Sequence, residues 1–254
     1  MTQFFVLLLG FLLSFNSYAQ QTPNVAAASS LQFVLPEIVA AFQRESGRLV
    51  RITYGSSGNL GRQIAQGAPF ELFLSADAFY VENLVEKGFT IDSAQVYALG
   101  SIAVIVAKSS NIKLSENLSE IGMAMEQGKL THFAIANPEH APYGRAAREA
   151  LQSYGLWESL QARLLRGENA SQATQFAVSG ASAGGIVPYT LALSPVISRV
   201  SDVMLIPQSR HQPIRQYMVL LTDAGEVAHQ FFEFLGGAES QAIFRRNGYE
   251  IPDR

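Results

Sequence analysis

Four short segments place small, hydroxyl-bearing or amide-rich residues where an apolar run gives way to a helical pattern: Ser29-Ser30, Ser56-Ser57-Gly58, Tyr143-Gly144 and Glu168-Asn169-Ala170-Ser171. A helix start carries backbone N–H groups with no partner inside the helix and the positive end of its dipole. Serine hydroxyls add donors that can rotate to suit a ligand. Several such turns converging on one point would bind an anion without any Lys or Arg. Any single turn alone reads better as an ordinary helix cap. Two Ser-rich turns in successive units favour a site.

Other chemistries find little support. The chain has 254 residues and no Cys, which removes thiol catalysis, disulfides and Cys-based metal centres. His132, His140, His211 and His229 are scattered without metal-ligand spacing, so no residue is expected to ligate a metal cation, and no cofactor is expected. Ser29, Ser56 and Ser182 lack a G-x-S-x-G elbow, and residues 180–185 (GASAGG) lack the Lys of a phosphate-binding loop. With 18 Lys+Arg against 21 Asp+Glu, the net charge is −3, the wrong sign for a nucleic-acid partner. Glu139 and Glu168 lie beside two of the turns, and Glu168 reads as a first-turn or cap residue. Met123 and Met125 read as helix-packing residues.

The elements that must position the turns alternate regularly. Strand patterns at 24–28, 49–54 and 70–75 are separated by amphipathic helical stretches at 31–42 and 60–66 and followed by one at 78–87. This β-α-β-α-β order predicts a parallel sheet with helices on its faces. Residues 101–107 (SIAVIVA) form a continuous apolar run, as expected of a strand buried on both sides. Further strands are expected at 133–136, 164–166, 185–187 and 216–221, with helices at 144–154, 158–163, 170–179, 226–235 and 239–247. No linker separates two halves, so two interlaced lobes are expected: residues 20–99 plus 209–254, and residues 100–208. Ahead of them, residues 1–19 hold an apolar run (4–15) too short to span a bilayer, then Ser17 and Ala19 at the small positions of a cleavage site. They read as a signal peptide cleaved after about Ala19, hence an exported, periplasmic protein.

Three blocks make a resemblance specific: Ala26-Ala27-Ala28-Ser29-Ser30-Leu31; Gly55-Ser56-Ser57-Gly58-Asn59-Leu60; and Gly67 to Asp77 (GAPFELFLSAD). With Asn137 to Gly144 (NPEHAPYG) and the closing Gly248-Tyr249, the chain resembles the periplasmic molybdate-binding proteins of ABC transporters over its whole mature length. The resemblance implies an α/β, two-lobed type II periplasmic-binding-protein fold, each lobe a mainly parallel sheet flanked by helices, with the ligand in the cleft between them. It implies a non-enzymatic receptor that captures molybdate, and tungstate, and delivers it to a membrane permease by hinge closure. The receptor is expected to act as a monomer. Its hydroxyl ligands fall on Ser30 and Ser57 and its backbone donors on Tyr143 and Ala170, with Ser29 and Tyr189 ranked behind them. The tyrosine of the family's GIVY-like segment is replaced by Pro188, and Tyr189 comes one residue late; the phenol of Tyr143 is the other candidate for that role. A receptor for sulfate or thiosulfate is the alternative, and a periplasmic hydrolase a more distant one.

Overall fold

The structure, a computed structural model, describes residues 22–252. The expected leader and its cleavage point lie outside the described residues. In chain order the strands are β1 (Asn24–Ala28), β2 (Arg51–Gly55), β3 (Leu72–Ser75), β4 (Gln95–Gly100), β5 (Ile102–Ala107), β6 (Phe133–Ala136), β7 (Leu164–Gly167), β8 (Gly184–Pro188), β9 (Ser201–Leu205) and β10 (Ile214–Leu220). The helices are α1 (Leu35–Ser46), α2 (Ser57–Ala65), α3 (Ala78–Glu86), α4 (Ser119–Glu126), α5 (Pro142–Ser153), α6 (Trp157–Leu160), α7 (Ala170–Val178), α8 (Tyr189–Ala192), α9 (Pro195–Ser198), α10 (Glu226–Gly236) and α11 (Ala238–Arg246).

Two five-stranded sheets result, in the orders β2-β1-β3-β10-β4 and β7-β6-β8-β5-β9. In each, one strand runs against the others: β10 is antiparallel to both β3 and β4, and β5 to both β8 and β9. These two are the strands that arrive from the opposite lobe. The chain leaves the first sheet at Gly100, enters the second at Ile102, and returns along β10.

The side-chain period of two explains why β1, β3 and β5 read as unbroken apolar runs. Val25, Ala27, Leu72 and Leu74 pack on one face with Leu35, Ile38, Phe231 and Phe244, while Ala26 and Phe73 pack on the other with Leu60, Ile64, Val81 and Leu84. In the second lobe Ile102 and Val104 share a core with Phe133, Ile135 and Leu151, and Ala103 and Ile105 share another with Ala134 and Val187.

The differences from the expected elements are instructive. β4 and β9, each at one edge of its sheet and partly exposed, are additional to the expected strands. α1 begins at Leu35, because Ser29–Leu31 forms a 3-10 turn first. α2 begins at Ser57 rather than Leu60, which brings that serine into the first turn. Met125 packs against the second-lobe core, but Met123, expected to pack, is 46% exposed.

Candidate oxyanion site

Five parallel strands, β1, β2 and β3 from one lobe and β6 and β7 from the other, end at a common cavity. It is lined by Ala28, Ser29, Ser30, Gly55, Ser56, Ser57, Ala76, Ala141, Pro142, Tyr143 and Ala170, and its volume is about 10 Å³. Ligands of open α/β sheets gather at the carboxyl ends of strands, and here two such sheets face one another. Wider hollows of about 610 and 780 Å³ lie elsewhere on the first lobe, away from the four strand-to-helix turns. The cavity is narrow, far below the roughly 300–1,000 Å³ of pockets that take drug-sized molecules. No charged side chain lines it.

Each turn divides its donors between structure and cavity. Ser56 caps α2, its hydroxyl oxygen accepting the Asn59 amide at 3.3 Å, and it also meets His140 Nδ1 at 3.0 Å. The Gly58 amide donates to the His140 carbonyl at 3.0 Å. Ser57, fully buried, accepts the Ala76 amide on its hydroxyl oxygen at 3.0 Å, and its own proton remains free to donate. In α5 the amides of Gly144 and Arg145 both donate to the Ala141 carbonyl. In α7 the cap is Asn169, which accepts the Gln172 amide at 3.1 Å, while the Ser171 amide donates to Ser29 Oγ at 3.3 Å. With those amides taken, the donors left to the cavity are the first-turn amides of Ser57, Tyr143 and Ala170. Ser30 Oγ is buried and has no partner at full hydrogen-bond geometry, the Tyr143 and Tyr249 phenols interacting with it more loosely. A buried, unpartnered hydroxyl is costly unless something else accepts from it.

The structure thus brings Ser29, Ser30, Ser57, Tyr143 and Ala170 together from the two lobes. Tyr189 is the candidate it does not bring: Tyr189 starts α8, donates its amide to the Ser101 carbonyl at 2.9 Å, and its ring lies against Gly248 rather than in the cavity lining. Ser29 lines the cavity, but both its hydroxyl oxygen and its carbonyl accept from Ser171, so it joins the lobes. The Tyr143 phenol reaches out of the turn into the crossover, where it packs over Gly100 and accepts from Gln216 Nε2 at 3.4 Å. Burial pushes that phenol well above its ordinary value of 10, so it stays a neutral hydroxyl.

Residues with no local signature close the mouth of the cleft. Asn59 donates to Glu168, and His140 Nε2 lies 3.5 Å from the same carboxylate. Arg145 pairs with Asp77 and donates to the Tyr80 hydroxyl at 3.1 Å. Ser171 Oγ also lies against the Gln32 side-chain amide. Glu168 therefore points at the opposite lobe and does not line the cavity. Apart from His140 and Glu168, which share a lobe, these partners are separated by 65 to 139 residues in the chain, so only the folded lobes could reveal them.

The family model of the bacterial extracellular solute-binding proteins matches residues 23–250. The chain belongs to that family. Its members named molybdate-binding protein include one from Rhodobacter capsulatus, 36% identical over 232 residues that cover 89% of this chain and 88% of that protein. Among solved structures, the periplasmic molybdate-binding protein of Azotobacter vinelandii superposes with a TM-score of 0.82 at 29% identity, over 91% of this chain and all of that one. A sulfate-binding protein from Mycobacterium tuberculosis shares the fold, with a TM-score of 0.72 at 16% identity over 91% and 87% of the two chains. As a solute-binding protein of this family, the chain is a binding component and not an enzyme.

Proposed function

We propose that this protein is the periplasmic receptor for molybdate, and also for tungstate, that supplies an ABC importer. The observation that carries the reading is the cavity itself: Ser30 and Ser57 hydroxyls and first-turn amides from both lobes converge there, with no charged side chain and no carboxylate among the lining residues. Fixed dipoles of this kind share out a dianion's charge in a site closed to water. A lining that offers only donors also disfavours an oxyanion that keeps a proton, which would need an acceptor. The relatives named for molybdate support the choice of ion over sulfate, and cavity size would discriminate between the two.

Because donors come from both lobes, bound anion bridges them and favours the closed form, whose differential affinity drives hinge closure. The receptor works as a monomer that a membrane permease recognises when closed. Isothermal titration tests the assignment: molybdate and tungstate bind tightly, and sulfate at least about tenfold more weakly, a gap of roughly 1.4 kcal/mol. Equal affinities for molybdate and sulfate would overturn the choice of ion.

A further inference from the structure

The residue best placed to grip the anion is itself gripped from behind. Thr190 Oγ1 donates to the Ser30 carbonyl at 3.1 Å, and the Tyr249 hydroxyl donates to the same oxygen at 3.3 Å. A carbonyl oxygen has two lone pairs, and both are engaged here. All three residues are buried. Their origins differ: Ser30 follows β1, Tyr249 follows α11 in the same lobe, and Thr190 belongs to α8 of the opposite lobe. Tyr249 is held in place by edge-on packing against Phe244, which in turn packs on Tyr97. Its phenol, raised by burial, keeps its proton and stays a donor at any physiological pH. Neither Thr190 nor Tyr249 lines the cavity.

We infer that Thr190 and Tyr249 are positioning residues for the anion site, clamping the Ser30 carbonyl so that its unpartnered hydroxyl is presented to the ligand. The inference rests on the oxyanion reading of this cavity. The two clamps act at different stages. Tyr249 lies in the lobe of Ser30 and holds the residue before and after closure. Thr190 crosses the cleft and engages only when the lobes meet, so it slows release of the ion without speeding its capture. Direct ligation is not involved, because both hydroxyl protons are committed to the Ser30 oxygen.

The test uses the full mature protein with Thr190→Val, Thr190→Ser and Tyr249→Phe. Molybdate affinity is read by titration, rate constants by stopped flow, and folding by thermal melting without ligand. Thr190→Val keeps the side-chain shape and removes the donor; it is expected to weaken molybdate binding about five- to tenfold, the effect of one ordinary hydrogen bond, with the loss in the dissociation rate. Thr190→Ser, which keeps the donor, restores affinity to within about twofold of wild type. Tyr249→Phe weakens binding by a similar factor. A Thr190→Val protein that binds as wild type overturns the clamp and leaves the molybdate assignment standing. So does a Thr190→Ser protein as weak as Thr190→Val, since the hydroxyl would then not be what matters. A wild-type protein that binds no molybdate overturns the assignment and this inference with it.

Discussion

Ser30 and Ser57 supply the same chemical group to the cavity, but the protein treats them differently. The Ser57 oxygen already accepts the Ala76 amide, whereas the Ser30 hydroxyl has no partner at full hydrogen-bond geometry. Replacing either with Ala removes a donor to the anion, and each change should weaken molybdate binding by about 1–3 kcal/mol in titration. Their effects on the unliganded protein should diverge. Ser57→Ala strands a buried amide and lowers the melting temperature, while Ser30→Ala removes an unsatisfied hydroxyl and leaves it unchanged or higher. Unaltered affinity in both variants would mean that the anion sits elsewhere. At this scale the sequence was informative about residue type and spacing: small and hydroxyl residues at strand ends are a local signal. It was silent on direction. Ser29 and Ser30 are neighbours of identical chemistry, and only the packing of Ser171 against one and the clamp behind the other separate their roles.

The helix starts do the work at the next scale up, and α2 shows how closely they must approach the other lobe. A Cβ on Gly58 would fall 2.8 Å from the His140 carbonyl oxygen and 2.9 Å from both His140 Cβ and Tyr80 Cζ. His140 belongs to the second lobe, so a methyl group there wedges the cleft at the point where Gly58 and His140 bond. Gly58→Ala is therefore expected to lower molybdate affinity and to reduce the compaction that ligand causes in small-angle scattering, with the melting temperature of the free protein little changed. Full compaction with unchanged affinity would show that the lobes tolerate the methyl group. Helix and strand positions for α2, α3, α5 and α7 could be anticipated because their apolar spacing and caps are local properties. The edge strands β4 and β9 could not, although β2 and β7, edges as exposed, were anticipated at 49–54 and 164–166. The site depends little on those edges, so missing them did not blur it.

For the molecule as a whole, the first lobe is tied at its outer side by Glu37 of α1, which bonds Arg246 of α11 and accepts from Asn247 at 3.2 Å. The hydrogen bond from Arg246 holds the Glu37 carboxyl below its ordinary value of 4.5 against the opposing effect of burial. A carboxyl depressed by folding contributes stability that is present above pH 4.5 and lost as pH falls through its folded value. Wild type should thus exceed a Glu37→Gln variant in melting temperature above pH 4.5, and the margin should shrink as acid protonates Glu37; a margin independent of pH would refute the coupling. The anion site, by contrast, holds no titratable side chain but the neutral Tyr143 phenol, so this acid sensitivity belongs to the scaffold. The sequence by itself determined that small and hydroxyl residues stand at the strand ends, and it determined the alternating α/β order, because burial on both faces writes a continuous apolar run. Tertiary structure alone decided which residues line the cavity, that Tyr189 and Glu168 do not, and which residues latch the lobes. Those outcomes rest on contacts between residues up to 219 positions apart, and no local propensity encodes which distant partner will claim a hydroxyl.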